Sequence, residues 1–197
     1  MKLIFITGPS GSGKTTISKY ISKYLSNSYI LSTDNYYRTG FISKILSKII
    51  KSYFDRILSH KKKIIKKDID YILKNKSINH HYKYNFIDKT TEKNIKNISN
   101  IQNLIIEGIF SLELTDYFKQ NQYLLIRLKE KKSICRKRIL KRDSIERGKN
   151  NILNINEYNN GWEIYQRKEK KYKYKIERGI TLNKNIDLEF LLKKLSK

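Results

Sequence analysis

The chain has 197 residues, of which 43 are Lys or Arg and 18 are Asp or Glu, so its formal net charge is +25. This length is enough for one α/β domain with a sizeable core and too short for two full domains. A single cysteine, Cys135, excludes an intramolecular disulfide and a cysteine-based metal site. The sequence shows neither a signal-peptide-like apolar segment nor an apolar run of membrane-spanning length, so we expect a cytoplasmic protein without membrane contact.

The positive charge has two explanations that the sequence leaves open. Such an excess of Lys and Arg is typical of proteins that bind nucleic acid or an anionic membrane. However, the chain contains no Ala and no Val, is rich in the residues of A/T-rich codons (Ile, Lys, Asn and Tyr), and spreads its lysines along its whole length. Drift in codon composition would produce the same charge. In both cases we expect non-specific binding of polyanions at low salt.

The first predicted elements surround a phosphate-binding loop. Residues 2–7 form an apolar run typical of a buried parallel strand, and residues 16–25 place apolar side chains at helical spacing. Between them, residues 8–15 fulfil the pattern G-x-x-x-x-G-K-[ST] without a gap. In such a loop, glycines let backbone N–H groups surround a phosphate at the positive end of the following helix. We therefore predict nucleotide contacts for Gly8, Pro9, Ser10, Gly11, Ser12, Gly13, Lys14, Thr15 and Thr16.

Two side chains of this loop have predicted roles in phosphoryl transfer. We expect the ammonium group of Lys14 to reach the β- and γ-phosphates of the nucleotide. The hydroxyl of Thr15 is expected to hold Mg²⁺.

The rest of the chain alternates between strands and helices. Further core strands are predicted at residues 29–32, 103–106, 123–128 and 179–182. Helices are predicted at residues 131–142, 157–173 and 187–195. We expect residues 40–100 to form an insert beside the sheet. Its pattern is mostly helical up to residue 75 and then polar, with short strands at 82–86 and 90–95.

This alternation predicts an α/β fold of the P-loop NTPase type, with three layers around a parallel five-stranded sheet. We expect one domain over residues 1–197, with a helical insert and a basic lid at about 131–155.

Carboxylates follow two of the predicted strands, at the edge where ligands bind to parallel sheets. Asp34, after residues 29–32, is suited to accept the proton of an attacking hydroxyl or to help order Mg²⁺, and a structural Asx-turn is the alternative. Glu107 ends the strand at 103–106 and is followed by glycine. This is the form of the second NTPase motif, in which the carboxylate binds Mg²⁺ directly or through water. A solvated strand-end carboxylate is the alternative.

The predicted lid is rich in arginine. Arg138 and Arg142 share one face of the predicted helix, and Arg147 with Gly148 follows it. Arginine neutralises the charge that spreads over a transferring phosphoryl group, because its guanidinium offers planar, bidentate donors. A solvated basic helix in a basic protein is the alternative explanation.

The order of four motifs resembles the uridine kinase and phosphoribulokinase family. The segments concerned are residues 8–15, 34–37 (Asp-Asn-Tyr-Tyr), 106–110 (Ile-Glu-Gly-Ile-Phe) and 142–149 (Arg-Asp-Ser-Ile-Glu-Arg-Gly-Lys). The resemblance implies ATP- or GTP-dependent phosphorylation of a primary hydroxyl. It implies a catalytic base at Asp34, phosphate and Mg²⁺ contacts at Lys14 and Thr15, and lid residues at Arg142 and Arg147.

The resemblance also concerns the acceptor. Residues 84–86 (Tyr-Asn-Phe) look like a family segment that lies beside the nucleoside base. We therefore expect an acceptor pocket formed by Asp34 together with Tyr36, Tyr37, Tyr84 and Arg138. The chain departs from the family after residue 37, where uridine kinases carry Asp-x-Pro-x-Ala-x-Asp. The acidic candidates there are Asp55 and residues 68–70, and neither has the surrounding pattern.

The sequence thus predicts a small-molecule kinase that uses ATP (or GTP) and Mg²⁺, with a nucleoside as the first candidate acceptor. A phosphosugar, a vitamin and a nucleotide are alternative acceptors. An NTP-binding protein associated with nucleic acid is the alternative from another functional class, and a homo-oligomer is allowed.

Overall fold

The computed structural model describes residues 1–146, 151–183, 191–193 and 195. The strands are β1 (Lys2–Thr7), β2 (Ser28–Ser32), β3 (Ile78–Asn85), β4 (Thr90–Ile98), β5 (Asn103–Glu107), β6 (Leu124–Leu128) and β7 (Ile180–Leu182). The helices are α1 (Lys14–Tyr24), α2 (Phe41–Ile49), α3 (Lys62–Asn75), α4 (Ser111–Leu114), α5 (Lys132–Glu146), α6 (Asn151–Lys171) and α7 (Lys173–Glu177). Short 3₁₀ turns lie at Thr33–Tyr36, Tyr53–Asp55 and Ile57–Ser59.

Within the described residues, five strands form one parallel sheet in the order β2-β5-β1-β6-β7. This confirms the predicted α/β fold with a parallel five-stranded sheet. In the register, Glu107 at the end of β5 lies between Ile6 of β1 and Ser32 of β2. The carboxyl ends of three strands therefore meet beside the phosphate loop, where ligands bind in folds of this kind.

Both faces of the sheet are covered, because alternate strand residues point to opposite sides. Leu3 and Phe5 of β1 belong to one buried cluster, which includes side chains of α3 and α4. Ile4 and Ile6 belong to the other cluster, which includes Ile21 of α1. One cluster lies on each face of the sheet, so the sheet is the middle one of the three layers that the sequence predicts.

The predicted insert packs beside this core. It contains α2, α3 and an antiparallel hairpin of β3 and β4, which pairs apart from the main sheet. Within the described residues, no helix combines the length and the apolar character needed to cross a membrane. The closing helix predicted at 187–195 lies largely outside the described residues, although Leu191 and Leu195 are described and are buried.

Candidate active site

The phosphate loop, residues 8–13, has the backbone that its glycines allow. Gly11 and Gly13 have φ angles of +80° and +95°, a region that other residues rarely adopt. A Cβ atom at Gly11 would lie 2.5 Å from the carbonyl oxygen of Cys135, so α5 packs directly against the loop. Gly13 is the N-cap of α1, which places the first backbone N–H groups of that helix at the loop.

The side chain of Lys14 lies inside the loop. It is 8 % exposed, and its Nζ atom donates hydrogen bonds of 3.0 Å to the carbonyl oxygens of Gly8 and Pro9. Burial lowers the pKa of Lys14, whereas the negative charges of Asp34 and Glu107 oppose this shift. The two carboxylates thus help to keep a buried cation beside the loop.

Thr15 and Glu107 form an oxygen-rich pair at the first turn of α1. The Thr15 hydroxyl donates to Oε2 of Glu107 over 3.5 Å, and Glu107 is 4 % exposed. Burial raises the pKa of Glu107, and the nearby charge of Asp34 raises it further. A hydroxyl and a carboxylate are ligands that suit Mg²⁺, so this pair fits the predicted metal site.

Gly108 lets the end of β5 approach the turn that carries Asp34. Its φ angle is +136°, and a Cβ atom there would lie 1.8 Å from Oγ1 of Thr33 and 3.3 Å from Oδ1 of Asp34. Thr33 is fully buried. Asp34 is therefore fixed close to Glu107 by a contact that only glycine permits.

A cavity of about 320 Å³ opens beside the loop. Ser10 and Asp34 line it together with aromatic side chains from three separate parts of the chain: Tyr37, Tyr53, Phe54, Tyr84, Phe86, Tyr158 and Trp162. The Tyr37 ring lies at the centre of this wall, with ring centroids 4.9 Å from Tyr84 and 5.6 Å from Phe54. Rings in this arrangement suit a planar or apolar part of a ligand.

The charge of the cavity wall is opposite to that of the protein as a whole. Among the described residues that line it, two are basic, Lys89 and Arg142. Four are acidic: Asp34, Asp55, Asp143 and Glu157. Basic residues outnumber acidic ones by 43 to 18 in the whole chain, so this reversal is a local property of the cavity.

The structure distributes the predicted acceptor residues between three places. Asp34, Tyr37 and Tyr84 line the cavity. Arg138 does not line it: its Nη1 atom donates to the carbonyl oxygen of Gly11 over 3.2 Å, so this guanidinium lies at the phosphate loop.

Tyr36 requires a correction. The residue is 3 % exposed, and its ring packs against Tyr82 with a ring-centroid distance of 5.0 Å. Its hydroxyl donates to Oδ2 of Asp68 over 2.9 Å. Neighbouring residues at the end of this turn point in opposite directions, so Tyr37 faces the cavity and Tyr36 faces α3 and the hairpin. We therefore assign Tyr36 to the core.

The predicted lid is described in part. Arg142 lies on α5, lines the cavity and donates to Oδ1 of Asp143 over 2.8 and 3.0 Å. Arg147 and Gly148 lie outside the described residues.

Sequence reasoning missed several residues that line the cavity, among them Asp55 and Trp162. Asp55 lies in the 3₁₀ turn Tyr53–Asp55 and lines the same cavity as Asp34. The sequence offers Asp55 as an acidic candidate, but the residues around it form no pattern that selects it. Trp162 of α6 also lines the cavity. It is the single tryptophan of the chain, and this rarity is the signal in the sequence that could have indicated an aromatic contact with a ligand.

Comparisons with known proteins agree with this architecture. The model of the AAA domain family matches residues 4–166, more than four fifths of the chain. Uridine kinases from Borrelia duttonii and Leuconostoc citreum are 34 % identical over 110 residues and 28 % identical over 111 residues. These matches cover 55 % and 54 % of this chain, and the chain spans about half (52 %) of each of these curated relatives.

Two solved structures share the fold at 16 % sequence identity and a TM-score of 0.63. One is a protein described as a possible uridine kinase from Bacillus stearothermophilus, matched over 91 % of this chain and 87 % of that one. The other is a candidate fructose transport system kinase from Silicibacter, matched over 83 % and 84 %. The family match and the geometry of the phosphate loop lead to one conclusion: the chain belongs to the AAA domain family. It is also similar to uridine kinases, as the motif order predicts.

Proposed function

We propose that this protein is a kinase that transfers the γ-phosphoryl group of ATP to a hydroxyl group of a neutral small metabolite, with a nucleoside as the first candidate. The observation that carries the proposal is that Asp34 adjoins both halves of the site. It lies close to Lys14 and Glu107 at the phosphate loop, and it also lines the aromatic cavity.

The residues of the loop would bind and orient the nucleotide. Backbone N–H groups of residues 8–15 would surround its phosphates, and Lys14 would exchange its two carbonyl partners for phosphate oxygens. Thr15 and Glu107 would hold Mg²⁺, which neutralises charge on the phosphates. GTP remains an alternative nucleotide.

On the acceptor side, Asp34 would accept the proton of the attacking hydroxyl as the oxygen–phosphorus bond forms and the bond to the leaving ADP breaks. Arg142, on the side of the lid, would neutralise charge on the transferring group. The aromatic wall would exclude water, which otherwise competes as an acceptor.

The cavity favours a neutral acceptor over a phosphorylated one. A phosphosugar or a nucleotide would bring its phosphate against four carboxylates and two cations. A hydroxyl-rich group, in contrast, can donate hydrogen bonds to Asp34 and Asp55, while the rings of Tyr37, Tyr84 and Trp162 contact a planar part of the same molecule. Nucleosides combine both features.

The test is ADP formation from ATP and Mg²⁺ by the purified protein, measured against a panel of nucleosides, free sugars, phosphosugars, vitamins and nucleotides. We expect stimulation by a neutral acceptor and none with Lys14→Ala. Stimulation by phosphorylated acceptors alone would contradict the assignment of the cavity. Stimulation by a nucleic acid alone would contradict the small-molecule proposal and support the nucleic-acid alternative.

A further inference from the structure

Helix α6 carries a glycine in its interior, at position 161. Glycine is the weakest helix former apart from proline, so its presence there calls for a structural reason. The adjacent turn supplies one. A Cβ atom at Gly161 would lie 2.7 Å from Oδ2, 2.8 Å from Cγ and 3.0 Å from Oδ1 of Asp55. The carboxylate of Asp55 therefore occupies the space that any other residue at 161 would fill.

A second residue of α6 contacts the same turn. Lys168 follows Gly161 by seven residues, or two helical turns, and so lies on the same face. Its Nζ atom donates to the carbonyl oxygen of Asp55 over 3.3 Å and lies 4.1 Å from the ring centroid of Phe110. It also forms a 2.9 Å ion pair with Glu113 of α4, and both side chains are 14 % exposed.

The ion pair with Glu113 holds Lys168 against α4. Burial lowers the pKa of Lys168 and raises that of Glu113, and their mutual attraction opposes both shifts. A buried pair of this kind holds its partners in one geometry, because separating the charges would leave each without compensation. The carbonyl group of Asp55 is thereby fixed relative to α4 and α6 together.

We propose that Gly161 and Lys168 are positioning residues that fix Asp55 in the acceptor cavity: Gly161 leaves room for its carboxylate, and Lys168 holds its backbone. The consequence for catalysis rests on the proposed function, since it concerns acceptor binding. Neither residue needs to touch the acceptor to act in this way.

The contact itself is tested by thermal unfolding, without any assay of activity. Gly161→Ala removes a helix-interior glycine, so in an Asp55→Ala background it should raise the Tm by about 2–4 °C. When Asp55 is present, Gly161→Ala should raise the Tm less or not at all, because the new Cβ atom displaces the carboxylate of Asp55. Asn160→Ala, at the neighbouring position of the same helix, serves as the control and should shift the Tm equally in both backgrounds. Equal shifts for Gly161→Ala in both backgrounds would overturn the proposal.

The consequence is tested with an acceptor that the wild-type protein phosphorylates. Gly161→Ala should raise the acceptor KM by about 3- to 10-fold, as expected when a hydrogen bond to a charged group is weakened, and leave the KM for ATP unchanged. In the Asp55→Ala background it should have no further effect. Lys168→Met should also raise the acceptor KM, whereas Lys168→Gln, which keeps a donor, should raise it less.

The outcomes separate the two proposals. A wild-type protein that phosphorylates no acceptor contradicts the proposed function, while the unfolding cycle still decides the contact between Gly161 and Asp55. A wild-type protein that turns over an acceptor, with an unchanged KM in Gly161→Ala, contradicts the positioning role alone.

Discussion

Replacing Gly108 with alanine tests the contact that brings the two carboxylate-bearing segments together. Two costs follow from the structure. The φ angle of +136° is one that alanine rarely adopts, and such strain costs about 1–3 kcal/mol. The new Cβ atom would also lie 1.8 Å from Oγ1 of the buried Thr33, and overpacking of this kind costs another ~1–3 kcal/mol.

Gly40 provides a matched control for the first cost. Its φ angle is +90°, but a Cβ atom there would meet no atom within 4 Å among the described residues. Gly40→Ala should therefore show the strain alone. The free energy of unfolding should be lower in Gly108→Ala than in Gly40→Ala by about 1–3 kcal/mol, equivalent to a difference in Tm of roughly 2–12 °C.

Urea or thermal denaturation measures this difference. Adding Thr33→Ala to Gly108→Ala removes the hydroxyl that clashes, so the double variant should be more stable than the sum of the two single changes implies. Gly108→Ala should also lower kcat, because its Cβ atom crowds Asp34. Equal unfolding midpoints for Gly108→Ala and Gly40→Ala would refute the close approach of β5 to the Asp34 turn.

Three further predictions concern single side chains. Lys14→Met should lower kcat/KM for ATP by about 10²–10³-fold, the usual cost of losing one preorganised donor, as steady-state kinetics would measure. Tyr36→Phe should leave the acceptor KM unchanged and lower the free energy of unfolding by about 1–3 kcal/mol, because buried Asp68 loses a hydrogen bond. Burial lowers the pKa of His60 well below its usual value. Below about pH 6.5, His60 is therefore protonated in the unfolded chain but stays neutral in the folded chain. The free energy of unfolding should therefore decrease from pH 7 toward pH 5, by up to ~1.4 kcal/mol per pH unit. His60→Phe should reduce this dependence on pH, as urea denaturation at several pH values would measure.

The sheet and the phosphate loop could be predicted because their signals are local. β1 and β5 contain unbroken apolar runs at residues 3–6 and 104–106, and the glycines of residues 8–15 stand where the backbone of the loop requires them. The carboxylates Asp34 and Glu107 followed from the same rule, since Glu107 ends β5 and Asp34 lies in the turn directly after β2.

Asp34, Tyr37 and Tyr84 of the acceptor wall were among the predicted residues, but the rest of the wall could not be predicted, because it depends on tertiary packing. Asp55 and Gly161 are more than one hundred residues apart, and no spacing in the sequence relates them. Tyr36 and Tyr37 are adjacent tyrosines whose side chains point in opposite directions. They lie at the end of a short 3₁₀ turn, which has no periodicity that could predict which of the two faces the cavity. Helix α6 begins at Asn151, six residues before the predicted start at 157.

Transfer of the labelled γ-phosphoryl group of ATP to an acceptor, compared between the wild-type protein and Asp34→Asn, tests the central claim most directly. Asn preserves the shape of the side chain but cannot take up the proton of the hydroxyl. We predict that the wild-type protein labels a neutral hydroxyl compound and that Asp34→Asn lowers kcat by about 10²–10⁴-fold with little change in the KM for ATP. Labelling of that compound by Asp34→Asn at the wild-type rate would contradict the assignment of Asp34 as the base.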